Sequence, residues 1–210
     1  MDALEDYIFA HNDKQPEYLK KILRETNVVE LNGRMSCGHV EGRVLSLLSN
    51  LITPTLIVEI GCFTAYSTLC LAEGLAPEGI IHTFEIDEEL EDTILHNISQ
   101  SPYAKKCQLH IGDARKLLKT TTFNRPIDMA FIDGDKCQYS EYYNLLIDKM
   151  SSGGVIIADN TLWNNKITCV NPKDKQLTEL QKFNDYVIAD SRVSTTLLPI
   201  RDGITILRVL

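Results

Sequence analysis

The sequence has no basic face, and this absence limits the partners that it can bind. Its 21 lysines and arginines are outnumbered by 29 aspartates and glutamates, so the net charge is −8 and the isoelectric point is near 5.1. Binding to a nucleic-acid backbone requires a concentrated positive surface, and no such cluster is present. The composition therefore argues against nucleic acid and favours a small-molecule partner.

Targeting and membrane-spanning signals are also missing. The first residues, MDALEDYIF, have neither the basic region nor the apolar core of a signal peptide. No apolar run approaches the roughly 18 residues that a membrane span requires. We therefore expect a cytoplasmic protein with no membrane partner.

Paired cysteine motifs are the third absence. The six cysteines form no CxxC pair, and several lie in apparent strands or helices, so neither a zinc site nor a disulfide framework is predicted. Repeats and low-complexity linkers are absent as well, and 210 residues, 44% of them hydrophobic, can bury a full core.

Strand and helix patterns alternate along most of the chain. This alternation predicts a parallel sheet with helices on both faces. Asp202-Gly203 joins two β-rich runs near the C-terminus and predicts an antiparallel hairpin. The predicted strands are Thr55–Ile60, Ile80–Ile86, Gln108–Ile111, Ile127–Ile132, Val155–Ala158, Val193–Ile200 and Ile204–Val209. The predicted helices between them are Tyr66–Gly74, Glu88–Ser99, Ala114–Lys119, Tyr139–Lys149 and Lys175–Ala189.

The N-terminal part precedes this alternation. Two short helices are predicted over Asp2–Phe9 and Glu17–Thr26, and we expect them to form a helical extension over residues 1–34. A polar loop over Met35–Gly42 and an amphipathic helix that Pro54 ends then begin the main domain, residues 35–210. The overall expectation is an α/β fold with a mostly parallel seven-stranded sheet.

Leu56–Thr68, written LIVEIGCFTAYST, reads as a buried strand, a tight loop and a helix start. Gly61 allows the backbone to approach a ligand closely, and Ser67 lies where the free N–H groups of a helix start favour a carboxylate or phosphate. Glu85 closes the next apolar run, where an acid can accept hydrogen bonds from ribose hydroxyls. These features are typical of a nucleotide-cofactor site, although an ordinary strand-to-helix turn has a similar pattern.

Two later strands also end in acids. Asp133 follows one, and Asp159 followed by Asn160 ends the next. In an open parallel sheet the carboxyl ends of the strands face one crevice, so we expect these side chains to converge there with Glu59 and Glu85. Their oxygens suit Mg²⁺, with Mn²⁺ or Ca²⁺ as alternatives. Taken singly, such an Asp is commonly a helix cap or turn former.

Lys136 follows Asp133 by three residues. Beside a bound cation and partly desolvated, it should have a lowered pKa and could accept a proton from a hydroxyl. Without a cation site, a solvated loop lysine is the better interpretation.

Six segments together resemble the cation-dependent class I S-adenosylmethionine O-methyltransferases, a family that includes caffeoyl-CoA and catechol O-methyltransferases. The segments are VEIGCFTAYS, HTFEID, GDA, FIDGDK, ADNTLWN and LPIRDGITI. The resemblance runs from about Met35 to the C-terminus in unchanged motif order, and FIDGDK with ADNTLWN is its most specific part. It implies a Rossmann-like fold, S-adenosylmethionine and a divalent cation as cofactors, a small hydroxylated acceptor and a homodimer.

The resemblance also implies roles for single residues. It places Lys136 and Asp133 in catalysis, with Lys136 as the general base, and it places Lys136 and Asn164 beside the substrate. Its metal ligands are Asp133, Asp159 and Asn160. Its cofactor-binding residues are Cys37, Glu59, Gly61, Cys62, Ser67, Glu85, Ala114, Asp133, Asp135 and Tyr142. One departure is Ala65, which stands where these loops usually carry glycine.

The predicted function is methyl transfer from S-adenosylmethionine to one hydroxyl of a catechol-like acceptor. A nicotinamide-dependent oxidoreductase is the first alternative, but the loop GCFTAY lacks the second and third glycines of dinucleotide folds. A non-catalytic S-adenosylmethionine-binding module is the second. A nucleic-acid methyltransferase is disfavoured by the acidic charge and by the absence of an Asn-Pro-Pro-Tyr type of motif.

Overall fold

The structure is a computed structural model, and it describes residues 3–29 and 36–210. The helices are α1 Ala3–Ala10, α2 Glu17–Val29, α3 Gly38–Ile52, α4 Tyr66–Ala72, α5 Glu91–Ser99, α6 Ala114–Thr120, α7 Tyr139–Ile147 and α8 Lys175–Ala189. The strands are β1 Leu56–Ile60, β2 Ile80–Glu85, β3 Cys107–Ile111, β4 Ile127–Ile132, β5 Met150–Ala158, β6 Val193–Leu198 and β7 Ile204–Val209.

The seven strands form one sheet in the order β3-β2-β1-β4-β5-β7-β6. The first five pair in parallel, and β7 pairs antiparallel with both β5 and β6. The expected Rossmann-like α/β fold, with its C-terminal antiparallel hairpin, is confirmed.

Helices cover both faces of the sheet, and the side chains of β1 point alternately into the apolar clusters on the two faces. Leu56, Val58 and Ile60 pack in the cluster that includes α7 and α8, whereas Ile57 packs in the cluster on the α2, α3 and α4 side. Successive side chains of a strand point to opposite faces, so a strand buried on both faces reads as a continuous apolar run.

Some predicted boundaries differ from the structure. Helix α3 begins at Gly38, within the predicted polar loop, and β5 begins at Met150 rather than Val155. Gly153 and Gly154 lie inside β5, where their lack of side chains conceals the strand pattern. The predicted boundary between residues 34 and 35 lies outside the described residues.

The N-terminal helices are packed against the main domain. Leu19 and Ile22 of α2 are buried in the same apolar cluster as Leu45 of α3 and Ile57 of β1. In the described part of the chain, every helix is too short or too polar to cross a membrane.

Candidate active site

A cavity of about 910 Å³ opens at the carboxyl ends of the parallel strands. It lies where the strand order reverses, with β2 on one side of β1 and β4 on the other, and such a reversal leaves a crevice between the loops that leave the two strands. Nine of the ten residues predicted to bind the cofactor line this cavity: Cys37, Gly61, Cys62, Ser67, Glu85, Ala114, Asp133, Asp135 and Tyr142.

The loop after β1 forms one wall of the cavity. Gly61 has φ +95°, and a Cβ at this position would lie 2.3 Å from the carbonyl oxygen of Asp133. Glycine is therefore required both by the backbone conformation and by the close approach of the loop after β4. Phe63 and Ala65 also have positive φ, of 51° and 68°. The loop thus holds Ala65 in a conformation that favours glycine.

Glu85 holds this loop to the end of β2. Its Oε2 accepts hydrogen bonds from the backbone N–H groups of Cys62 (3.1 Å) and Phe63 (2.7 Å). Its Oε1 accepts from the N–H groups of Ile86 (2.9 Å) and Asp87 (3.1 Å). A carboxylate has about four acceptor positions, so a ribose hydroxyl at Glu85 would replace or share one of these bonds. The ribose contact stays a prediction.

Glu59 is the predicted cofactor residue that does not line the cavity. It is fully buried behind the loop, where its Oε2 accepts hydrogen bonds from the hydroxyls of Thr68 and Thr83 (2.7 Å to Thr83). Burial raises the pKa of Glu59 to about 7, against the lowering effect of these hydroxyls. The expectation that Glu59 converges with the other acids in the crevice is wrong, because its side chain is turned toward α4 and β2.

Lys136 and Asp133 form an ion pair in the cavity wall. The Lys136 Nζ lies 2.7 Å from Asp133 Oδ1 and 5.2 Å from the centre of the Tyr139 ring. Burial by itself lowers the pKa of Lys136, but Tyr139 and Asp133 outweigh it and raise the pKa above its usual value. The lowering was predicted for Lys136 beside a bound cation, so it stays a prediction, whereas in this arrangement Tyr139 and the Asp133 carboxylate stabilise the ammonium form.

Asp159 and Asn160 lie beside Asp133, because β4 and β5 are neighbours and Ile132 pairs with Ala158. Asp159 is 3% exposed and accepts a hydrogen bond from the Asn160 N–H at 2.6 Å. Asn160 has φ +55°, and both residues line the cavity. Two strand ends therefore bring the three predicted metal ligands together.

Glu41 of α3 adds a further acid to this group. It lies close enough to Asp159 for the Asp159 charge to act on it, and its Oε1 is buried without a hydrogen-bond partner among the described residues. Burial and then the Asp159 charge raise the pKa of Glu41 to about 10, against the lowering effect of Arg201. Crowded carboxylates with an unsatisfied oxygen fit a hard divalent cation.

Whether these residues can hold a divalent cation depends on the Asn160 amide. Within residues 3–29 and 36–210, no group of three or more His, Cys, Asp or Glu side chains is arranged to hold a metal ion. Asp133 and Asp159 therefore need Asn160 as the third protein donor in the predicted set, and carboxylate and amide oxygens are donors that Mg²⁺ and Ca²⁺ accept.

The remaining predicted residues have local roles as well. Asp135 caps the short 3-10 turn after β4 by accepting from the Cys137 N–H at 3.0 Å. Ala114 begins α6, directly after the capping residue Asp113. Asn164 does not line the cavity; it lies in a turn in which Trp163, Asn164 and Asn165 all have positive φ. Its substrate role stays a prediction.

Several residues of the cavity wall were not predicted from the sequence. The most notable is Arg201, which lies in the turn between β6 and β7 and reaches Glu41, 160 residues earlier in the chain. A contact of this separation leaves no local pattern. The others include Ser36, Phe63, Thr64, Tyr66, Trp163, Gln176 and Asp202.

Comparisons with known proteins agree with this geometry. The O-methyltransferase family model matches residues 9–210. Caffeoyl-CoA O-methyltransferase 1 of Nicotiana tabacum is 34% identical over 221 residues, covering 99% of this chain and 91% of the relative. The caffeoyl-CoA O-methyltransferase of Pinus taeda is also 34% identical, covering 99% and 84%.

Two solved structures are similar over nearly the whole chain. The O-methyltransferase from Bacillus cereus in complex with SAH has a TM-score of 0.92 at 25% identity, covering 99% of this chain and 97% of that one. The O-methyltransferase TomG from Streptomyces achromogenes, in complex with SAM, has a TM-score of 0.91 at 25% identity, covering 99% and 96%. Together with the Gly61 loop and the acids at the strand ends, these matches show that the chain belongs to the class I S-adenosylmethionine-dependent O-methyltransferase family.

Proposed function

We propose that the chain uses a divalent cation to transfer the methyl group of S-adenosylmethionine to one hydroxyl of a small, catechol-like acceptor. The observation that supports this most is the meeting of Asp133, Asp159 and Asn160 in the wall of the same cavity as the Gly61 loop. Membership of the O-methyltransferase family decides against the nicotinamide-dependent oxidoreductase.

The protein's own contribution is mainly binding and orientation. Asp133, Asp159 and Asn160 would hold the cation, with Mg²⁺ as the first candidate and Mn²⁺ or Ca²⁺ as alternatives. When bound, the cation lowers the pKa of an acceptor hydroxyl and fixes its position. The buried strand ends keep these donors in place, because Asp133 and Asp159 follow directly from paired strands. S-adenosylmethionine supplies the methyl group.

Lys136 is the proposed general base. Its Nζ is held in the cavity wall, partly buried, at 2.7 Å from Asp133. Lys136 can accept a proton from the acceptor hydroxyl only as the neutral amine, so its ammonium must first lose a proton to solvent, which ends the ion pair with Asp133.

We propose a cytoplasmic homodimer, on the basis of the resemblance and of the prevalence of two-fold dimers among soluble oligomers. Light scattering of the purified protein measures the mass of the particle, and a monomer at working concentration would contradict the dimer.

The cation is tested by its removal. We expect calorimetry to show binding of S-adenosylmethionine and S-adenosylhomocysteine, and a panel of catechols to be methylated with Mg²⁺ but not in EDTA. Asp159→Ala should lower cation-dependent turnover at least about 100-fold, because it removes a donor from a three-donor set. Lys136→Ala should lower turnover much more than cofactor affinity.

Asp185→Ala is a matched control, because Asp185 is an exposed acid on α8 and its loss should leave turnover unchanged. Full activity in EDTA, or in Asp159→Ala, would contradict the cation dependence. Cofactor binding without turnover of any hydroxylated acceptor would instead favour the non-catalytic binding module.

A further inference from the structure

Arg201 has a backbone conformation that is unusual for its residue type. It lies in the turn between β6 and β7, where the Gly203 N–H donates to the Ile200 carbonyl at 2.9 Å, and its φ is +48°. A non-glycine residue in the left-handed region costs on the order of 1 kcal/mol. The guanidinium reaches back to the start of α3, as its contacts there show.

The guanidinium is held by the segment that begins α3. Arg201 Nη1 lies 2.9 Å from Glu41 Oε2, and it donates to the Cys37 carbonyl and, at 3.4 Å, to the Ser36 carbonyl. Glu41 is only 1% exposed, whereas the Arg201 side chain is 44% exposed and lines the cavity. A partly open cation is thus fixed by three oxygens at the edge of the site.

The charges around Arg201 are those of the proposed cation site. The Asp159 charge acts on Glu41, which accepts from Arg201, and the Arg201 charge acts on Asp133. Within the described ranges, Lys136 and Arg201 are the only cationic side chains in the cavity wall. Lys136 is already paired with Asp133, so Arg201 is the second positive charge among the carboxylates.

We propose that Arg201 is a fixed positive charge that weakens divalent-cation binding at Asp133, Asp159 and Asn160. It stabilises the closely spaced carboxylates before a cation arrives, and it then repels the arriving cation. Arg201 is not a ligand, and Glu41 acts as its anchor. This inference rests on the cation dependence in the proposed function, and its test measures cation affinity without turnover.

Removing Arg201 should tighten cation binding, whereas a loss of structure would weaken it. Removing Arg201 should tighten Ca²⁺ binding by about tenfold, given Coulomb energies in a partly buried site. Because Coulomb energy is proportional to ionic charge, the change in log Kd for Tb³⁺ should be about one and a half times that for Ca²⁺. A substitution that only loosened the start of α3 would weaken binding of both ions.

The measurement uses Trp163, the only tryptophan in the chain. Trp163 lines the cavity, and its backbone N–H donates to the Asn160 carbonyl at 3.1 Å, so excitation of its ring should sensitise Tb³⁺ luminescence at the site. Ca²⁺ affinity follows from displacement of Tb³⁺. The charge is removed in both Arg201→Gln and Arg201→Gly, and the glycine variant also relieves the positive φ. Thermal melting confirms that each variant is folded.

Arg201→Lys keeps the charge and should restore near wild-type affinity. Arg208→Gln is the matched control, because Arg208 is an exposed arginine of the same hairpin that pairs with Val155, three residues before the end of β5; its removal should not change either affinity. Asp159→Ala should abolish the signal from this site.

The possible failures are distinguishable. Wild-type protein without sensitised luminescence, or luminescence that survives Asp159→Ala, would mean that no cation binds here, which overturns this inference and the proposed cation dependence together. Wild-type binding that Arg201→Gln and Arg201→Gly leave unchanged or weaken would overturn this inference alone. That second result would leave the proposed Mg²⁺-dependent methylation standing.

Discussion

Gly61 and Ala65 begin and end the loop that forms one wall of the cavity, and both have positive φ. Only Gly61 has a second constraint, the contact of its α-carbon region with the Asp133 backbone. Ala65 is fully buried, and its methyl group fits the small cluster with Ile94 and Ile98. Two positions with similar φ should therefore respond differently to substitution.

Gly61→Ala should weaken S-adenosylhomocysteine binding by at least about tenfold, because a Cβ 2.3 Å from the Asp133 carbonyl oxygen must displace the loop or Asp133. Ala65→Gly should change stability by less than about 1 kcal/mol. Relief of the left-handed strain, about 1–2 kcal/mol, is offset by the lost methyl burial and the greater chain entropy of glycine, about 1–2 kcal/mol together. Calorimetric titration and denaturant unfolding measure the two effects.

Both variants test whether the close approach of the loops after β1 and β4 shapes the cofactor site. If Ala65→Gly impaired cofactor binding while Gly61→Ala did not, the close approach of the loops after β1 and β4 would not be the feature that shapes the site.

The predicted acids show what can be recognised at the scale of a residue. Asp133, Asp159 and Asn160 could be proposed because each follows a strand pattern that is visible locally, and the carboxyl ends of parallel strands share an edge. Arg201 and Glu41 could not, because nothing near either residue indicates the other. Glu59 ends a strand pattern too, yet the hydroxyls of Thr68 and Thr83 turn it away from the cavity.

At the scale of elements, the pairing of β2 with β3 brings two histidines together. The His82 and His110 rings are stacked, with His82 Nδ1 2.9 Å from His110 Nε2. Burial and then the neighbouring His110 lower the pKa of His82 to about 4, and burial lowers that of His110. The paired strands thus favour neutral rings.

This pairing predicts a loss of stability in acid. The unfolded chain protonates His82 near its ordinary pKa of 6.5, whereas the folded protein does so only near pH 4. The contribution of the neutral His82 ring to the free energy of unfolding is therefore fully present above pH 6.5 and is lost as the pH falls toward 4. After allowance for solvent screening of these half-buried rings, we expect a loss of about 1–2 kcal/mol between pH 7 and 4.5.

Urea unfolding at several pH values measures this slope. His82→Gln should flatten it, whereas His96→Gln, a change at an exposed histidine of α5, should not. An unchanged slope in His82→Gln would show that other groups cause the acid sensitivity.

Most elements could be predicted because their signals are local. The alternating patterns, Pro54 and Asp202-Gly203 placed the strands and the final hairpin within a few residues. The start of β5 was missed because Met150 through Gly154 shows no strand pattern, and its pairing is set by the backbone of β4, with a register shift between Ile127 and Met129. Tertiary pairing decided that boundary.

At the scale of the whole molecule, the N-terminal helix α2 is part of the main core. Leu19 is fully buried in the cluster that also contains residues of α3, α4 and β1. The Thr26 hydroxyl donates to the Thr64 hydroxyl at 2.8 Å, which connects α2 to the loop that lines the cavity. The family model likewise begins at residue 9, before α2.

Leu19→Ala should therefore lower the free energy of unfolding by about 2–5 kcal/mol, the cost of a buried cavity. Val28→Ala is the matched control: Val28 lies on the same helix but is 78% exposed, so its change should stay within about 0.5 kcal/mol. Chemical denaturation measures both. A Leu19→Ala cost below about 1 kcal/mol would indicate that α2 folds apart from the sheet.

The sequence by itself determined the order of the elements, the fold class and the acids that follow the strands. Each of these depends on residues close together in the chain: apolar periodicity, turn residues and the position of an acid relative to a strand end. The resemblance of six short motifs added the family, because those motifs keep their order along the chain.

Only the tertiary structure decided which of these residues share a cavity. The strand order reverses between β1 and β4, and this brings Gly61 against Asp133 and leaves the crevice between their loops. The antiparallel return of β7 beside β5 carries Arg201 to Glu41. Such contacts depend on how distant elements pack, and neither residue's neighbours in the chain encode them.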